Sequence, residues 1–354
     1  MLGISLYLGQ QSHDELEAYI KKMFSAGCRT IFTSLHIPED DPALYVSELK
    51  KLGEVATRIG MDIIADLSPS SWHHLGLQME QASELRAWGV TGLRVDYGFT
   101  PTQIANLSKQ MKVALNASTI DERFLTELTN AGLHIHRVEA WHNFYPRPET
   151  GLDDQWFEKR NKWLQSQGLT VVAFVPGDEK LRGPLHKGLP TIERHRHQSV
   201  FSAYLEMTNE LHVDKVCIGD PGIKEDTLKQ FTYYQDDVIF VRCNHIDLTK
   251  EESKLLKMNH RNRMDPARDV IRSETSRFYA QKGRIDIKPR PILPRPKGAI
   301  TIDNNHYGRY VGELQVVLRD LPPDAKVNVI GYVSAEDLPL LKMIHPGQSF
   351  SFNV

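Results

Sequence analysis

Four acids stand where a carboxyl group could work on a bound molecule. Asp66, Asp96, Glu139 and Glu39 each fall at or just past the end of a short run rich in apolar, β-branched residues. Two carboxyl groups on one rim can divide the work of proton donor and of base or nucleophile. The same run ends supply Tyr7, Ser34, His36, Arg94, Asn116, His142 and Asn143. Each acid also has a plainer account, since a strand-end aspartate often caps the next helix. Yet Ser68-Pro69-Ser70 can cap after Asp66, and Thr100-Pro101 is a better helix start after Asp96. Asp41-Pro42 does that job after Glu39, which leaves Glu39 spare or simply solvated. His73 and His74 read as solvated or packing histidines.

A second group of residues suits an anion. The stretch from Pro176 to Pro190 holds Arg182, Gly183, Lys187 and Gly188, the helix expected to open at Thr191 carries Arg196, and Gly219-Asp220-Pro221-Gly222 follows a later run. Glycine lets a backbone come close to a phosphate, and arginine offers a forked donor. Arg147 sits between Pro146 and Pro148, so fixing it on an anion costs less entropy. Glycine and proline also simply make loops, which is the competing account of these segments.

Such residues need a frame that brings them to one face. Eight runs could be its strands: Gly3–Tyr7, Thr30–Ser34, Asp62–Asp66, Gly92–Asp96, Val113–Asn116, Ile135–Glu139, Val171–Val175 and Lys215–Gly219. Between them apolar residues recur at helical spacing, as in Leu16, Tyr19, Ile20, Met23 and Phe24, and several of these stretches end in glycine, including Gly27, Gly60 and Gly89. Near-continuous apolar strands alternating with helices predict a parallel sheet covered outside, and eight units close into a (β/α)8 TIM-like barrel. No glycine-rich dinucleotide fingerprint follows the first run, which argues against an open doubly wound sheet. Reactive groups of such barrels project from the strand carboxyl ends, and the loops after strands seven and eight commonly hold phosphate.

The pattern changes near residue 236, giving an expected catalytic barrel over 1–235 and a linker with a small β-rich domain over 236–354. A capping box, Thr249 to Glu252, opens one short helix there, and Asp265-Pro266 is the expected start of another. The proline tract from Lys288 to Pro296 reads as a stiff, extended entry to later strands at Ala299–Ile302, Val311–Leu318, Lys326–Val333 and Ser349–Phe352.

A formal charge of −2 on 354 residues excludes a generally basic, nucleic-acid-binding surface but leaves small anions open. No apolar run has membrane-spanning length, and the first residues are already claimed by a strand rather than by an export signal. Cys28, Cys217 and Cys243 lie far apart without metal-ligand spacing and read as reduced packing residues of a cytoplasmic protein.

Several segments together resemble the bacterial 6-phospho-N-acetylmuramidase family: Gly3–Tyr7, Phe32–Glu39, Leu93–Asp96, Leu115–Ser118, Asn143–Gly151, Arg182–Leu185 with Gly188–Pro190, and Ile218–Pro221. The resemblance covers the whole chain. It implies a cytoplasmic glycosidase that splits the β-1,4 bond between N-acetylmuramic acid 6-phosphate and N-acetylglucosamine in cell-wall recycling, with a small cyclophilin-like β-barrel domain at the carboxyl end. Its partner would be the phosphorylated amino-sugar disaccharide, with no cofactor, and a homo-oligomer is left open.

Under that reading Asp66 and Asp96 form the acidic centre, with Glu139 or Glu39 as the alternative second member. Direct carboxylate attack and a route through the sugar's own acetamido oxygen both stay open. Tyr7, His36, Asn116, Asn143, Arg182, Gly183 and Asp220 would bind substrate, and Arg94, Arg147 or Arg196 would meet the lactyl carboxylate. Two rivals stand beside it. A divalent-metal sugar isomerase would use His36, Glu39, Asp66, Glu139 and His142. A phosphosugar-binding regulator would use the arginines and leave the strand-end acids idle.

Overall fold

In the computed structural model residues 1–9, 12–35, 42–282 and 285–353 are described, and they divide into two compact units, Met1–Leu228 and Lys229–Val354. His36 and Glu39 lie outside the described residues.

The first unit is a closed, all-parallel barrel of eight strands in sequence order. They are β1 (Leu2–Ser5), β2 (Cys28–Ser34), β3 (Asp62–Leu67), β4 (Gly92–Val95), β5 (Lys112–Asn116), β6 (Val138–Trp141), β7 (Thr170–Val175) and β8 (Lys215–Ile218). Helices alternate with them: α1 (His13–Ser25), α2 (Pro42–Ile59), α3 (Pro69–His74), α4 (Ala82–Ala87), α5 (Pro101–Gln110), α6 (Glu122–Asn130), α7 (Asp154–Ser166) and α8 (Val200–Asn209). The TIM-like barrel expected from the eight runs is therefore present. No helix among the described residues is long and apolar enough to cross a membrane.

Local chemistry explains the starts of these helices. Thr100 accepts the Gln103 amide while the Gln103 side chain reaches back, with Pro101 in the first turn of α5. After β3 the Ser68 hydroxyl accepts from the Ser71 amide, so capping falls to Ser68 and Asp66 is released from that duty. Two expectations fail locally. Ile135–Arg137 is a 3₁₀ turn and β6 begins only at Val138, because exposed Ile135 buries nothing in the sheet. The stretch opening at Thr191 is also 3₁₀, over Glu193–His197, and the α-helix starts at Val200 behind the Ser199 cap.

The second unit begins within α9 (Glu225–Tyr234). It contains β9 (Val238–Val241), β10 (Cys243–His245), α10 (Lys250–Leu256), β11 (His260–Arg261), β12 (Val270–Arg272), α11 (Glu274–Lys282), β13 (Ala299–Asp303), β14 (Leu314–Val317), β15 (Val327–Val333) and β16 (Ser349–Phe352). They form a five-stranded sheet, β10-β15-β13-β14-β12, and a three-stranded one, β11-β16-β9. The capping box at Thr249 and Glu252 is present. No helix opens at Asp265-Pro266: Asp265 instead accepts from Nε and Nη2 of Arg263, and the strand β12 follows. Nor does the proline tract open the β-rich domain: it leads into β13, but four strands of the unit precede it. It is fastened along its length, Arg290 N donating to Asn328 Oδ1 and Arg295 Nε to the Pro322 carbonyl.

Candidate active site

The barrel interior is divided by a layer of aromatic rings. Phe32 on β2, Trp141 on β6 and Phe174 on β7 pack with ring centroids 5.3 to 5.8 Å apart, and Ile64, Ala114, Val172 and Cys217 complete the layer. Phe144 meets the Phe174 ring edge-on at 5.2 Å.

Glu139 lies on the amino-terminal side of this layer. It is the second residue of β6 and sits opposite Thr170, the first of β7. Its carboxylate is ion-paired with Lys215, the first residue of β8, and accepts a hydrogen bond from Trp141 Nε1 at 2.8 Å. It is not brought together with the other acids.

Asp66, Arg94, Asp96, Asn116 and Asn143 gather toward the carboxyl-terminal mouth. Strand register sets their order: Asp66 stands opposite Arg94, not Asp96. A guanidinium therefore separates the two carboxylates that a close pair would have required. Arg94 Nη1 donates to Asp66 Oδ1 at 3.0 Å, and Nη2 donates to Asn143 Oδ1 and lies 3.7 Å from Asp96 Oδ2. Asn116 Nδ2 donates to Asp96 Oδ1 at 2.7 Å, while its own oxygen accepts the Ser118 amide, which fixes the direction of the side chain. Asp66 is the deeper carboxylate, 13% exposed against 30% for Asp96. Two carboxylates around one guanidinium carry net negative charge, and Asp96 presents it to the mouth.

Tyr145, which the sequence reading passed over, belongs to this cluster. Its half-buried hydroxyl lies beside Ser118, Arg94 and Asp96, and burial pushes its pKa above the usual tyrosine value. It sits in the Asn143–Gly151 segment, where attention went to Arg147, whose guanidinium is exposed and without an ion pair among the described residues.

Tyr7 and Arg182 form the next group. The Tyr7 hydroxyl donates to the Gly219 carbonyl at 2.7 Å, and burial pushes its pKa up to about 12. The Arg182 guanidinium lies 3.8 Å from the centre of the Tyr7 ring and 5.9 Å from that of Phe144. That stacking fixes the planar fork, and Arg182 forms no ion pair among the described residues. Gly183 beside it is exposed.

Asp220 and Arg196 have other employment. The Asp220 carboxylate is buried and accepts backbone amides of Gly177, Leu189 and Arg182 at 2.8 to 2.9 Å, lacing the β7 and β8 loops together. The loops touch so closely that a Cβ on Gly177 would fall 2.4 Å from the Gly222 carbonyl oxygen. Arg196 is buried, bidentate on Glu193, and donates its remaining protons to the carbonyls of Lys187, Gly188, Tyr145 and Arg147. It has no donor left for a ligand and holds the β6 and β7 loops in place.

Of the expected metal ligands, the three within the described residues do not converge. Asp66 is on Arg94, Glu139 on Lys215, and buried His142 on Asn161 Oδ1 at 2.7 Å; no group of three metal-ligating side chains occurs among the described residues. Burial lowers the His142 pKa to about 4. The unfolded chain takes up this proton near pH 6.5, so stability falls as acidification proceeds from there toward 4. Between pH 7 and 5 the loss attributable to His142 is about 2 kcal/mol, read from urea midpoints. His142→Gln should flatten that dependence, and an unchanged slope would show that the imidazole is not responsible.

Two family models, described as 6-phospho-N-acetylmuramidase, N-terminal and C-terminal, match residues 2–233 and 241–353. Among solved structures, a conserved protein of unknown function from a locus in Enterococcus faecalis is 42% identical, with all of this chain and 96% of that one covered and a TM-score of 0.90. An uncharacterized B. cereus protein is 26% identical, with 100% and 99% covered and a TM-score of 0.76. No curated protein matches the chain.

Proposed function

The chain belongs to the 6-phospho-N-acetylmuramidase family, and from that premise we propose that it hydrolyses the β-1,4 bond between N-acetylmuramic acid 6-phosphate and N-acetylglucosamine, inside the cell, in cell-wall recycling. The observation that carries the reading is the Asp66–Arg94–Asp96 cluster at the barrel mouth. Glycoside cleavage passes through an oxocarbenium-like state, and a carboxylate facing the anomeric carbon stabilises its developing positive charge. Asp96 takes that part. Asp66, turned onto Arg94, positions the guanidinium and through it Asp96. The leaving oxygen needs a proton, and Glu39, which follows β2 in the sequence, is the acid assigned to it. Water supplies the hydroxyl that ends on the muramyl carbon.

The 6-phosphate goes to Arg182 and the glycine-bearing loops after β7 and β8, and the exposed Arg147 takes the lactyl carboxylate. Support comes from Arg182 being stacked, oriented and without an ion pair among the described residues. The test incubates purified, chelator-treated protein with the phosphorylated disaccharide and its unphosphorylated twin, with products read by mass spectrometry. Cleavage of the phosphorylated form alone is expected, and cleavage of neither would overturn the reading. Arg182→Ala should raise KM for the phosphorylated form about 10- to 100-fold with a smaller change in kcat, the loss of a charge-assisted hydrogen bond. An unmoved KM would place the phosphate elsewhere.

A further inference from the structure

Between the loops after β4 and β5 lies a cleft of about 260 Å³ to which these roles assign no part of the substrate. Its floor is apolar, made by Val95, Ile104, Leu115 and Phe124, and Asp96 and Asn116 stand among its lining residues. Tyr97 also lines it and is 66% exposed, a large aromatic ring left in solvent beside the candidate carboxylate. An apolar hollow with a few convergent polar groups is the usual form of a small-molecule site.

We infer that this cleft is a subsite for the N-acetylglucosamine half of the substrate, with Tyr97 as the platform under its ring; the inference rests on the hydrolase reading above. Three observations select that occupant. First, in the closed order of eight strands the β4–β5 edge lies half a barrel away from β8–β1, where Arg182 rests on Tyr7. A disaccharide held by its phosphate at one edge extends its other sugar toward the opposite one, with the scissile bond near Asp96. Second, the single charged side chain among the described lining residues is Asp96. The lining therefore offers no cation to a phosphate or a lactyl carboxylate, while its polar side chains can hydrogen-bond a neutral sugar. Third, the parts of an N-acetylhexosamine match the parts of the cleft. Its C–H face suits the Tyr97 ring, its acetamido methyl the apolar floor, and its amide and hydroxyl groups Asp96 and Asn116.

The experiment measures binding of N-acetylglucosamine alone to the full chain by ligand-observed NMR, with glucosamine and inorganic phosphate as companion probes. Wild-type protein, Tyr97→Ala and Tyr97→Phe are compared, and GlcNAc inhibition of disaccharide cleavage is measured in parallel. Tyr97→Ala should weaken N-acetylglucosamine about 3- to 10-fold, Tyr97→Phe should restore it, glucosamine should bind less well than its acetylated form, and phosphate binding should not move. N-acetylglucosamine binding that ignores Tyr97, or that is absent from the wild type, would overturn the subsite. The two readings fail separately: a protein that cleaves the disaccharide with Tyr97-independent sugar binding loses only the subsite. One that binds the sugar through Tyr97 but cleaves nothing loses only the hydrolase.

Discussion

Asp96→Asn lowers kcat on the phosphorylated disaccharide about 10²- to 10³-fold while the unfolding midpoint stays close to that of the parent. The exchange keeps the shape of the side chain and an oxygen for the Asn116 amide, whose 2.7 Å hydrogen bond is the firmest contact that Asp96 makes. What disappears is the negative charge that faces the mouth. The neighbouring guanidinium lies at 3.7 Å, a loose pairing whose loss costs the fold little. Charge stabilisation of a developing cation is worth several kcal/mol in a shielded site, and the whole of it should appear in kcat rather than KM. Turnover within about threefold of the parent would remove Asp96 from the chemistry and return attention to Asp66.

Arg94→Met is the second large change, and its cost falls on stability as well. Arg94 is buried and offsets the charge of the buried Asp66 carboxylate through a 3.0 Å hydrogen bond, while its other nitrogen holds Asn143. Removing one member of a buried ion pair leaves an uncompensated charge, worth about 3 kcal/mol or more, and activity should vanish with the placement of Asp96. The double replacement Arg94→Met with Asp66→Asn separates the two effects. Most of the lost stability should return, because the charge left behind is gone, and activity should not. Urea unfolding of the three variants decides it. A single-variant loss below about 1 kcal/mol, or recovery of activity in the double variant, would show that Arg94 does not tie the cluster together.

The barrel was legible in the amino-acid sequence because each strand is a compact apolar run and the intervening helices carry their own starts, as at Thr100-Pro101. The site was legible only as far as single strands go. That Asp66, Arg94 and Asp96 reach one rim follows from their run ends; that Arg94 stands opposite Asp66 is a matter of inter-strand register, which no single run encodes. Glu139 shows the cost of a misplaced boundary. Read as the last residue of Ile135–Glu139 it belonged at the mouth, but the strand starts three residues later and Glu139 is near its beginning. Arg196 and Asp220 looked like ligand-binding groups because residue type and loop position do not reveal what the folded backbone will ask of them. Tyr97 and Tyr145 escaped notice because a loop tyrosine has no pattern of its own.

The aromatic layer of Phe32, Trp141 and Phe174 has a consequence for how this protein can change over time. It lies between the Glu139–Lys215 pair and the cluster around Arg94, with the rings of Phe32, Trp141 and Phe174 separating them. A side chain exchanged at one end therefore need not rearrange the hydrogen bonds at the other, and the two ends answer to different selective demands. The floor is free to drift toward greater robustness, or to exchange its ions for hydrocarbon, while the rim keeps its chemistry; new specificity acquired at the rim need not be matched by adjustment below.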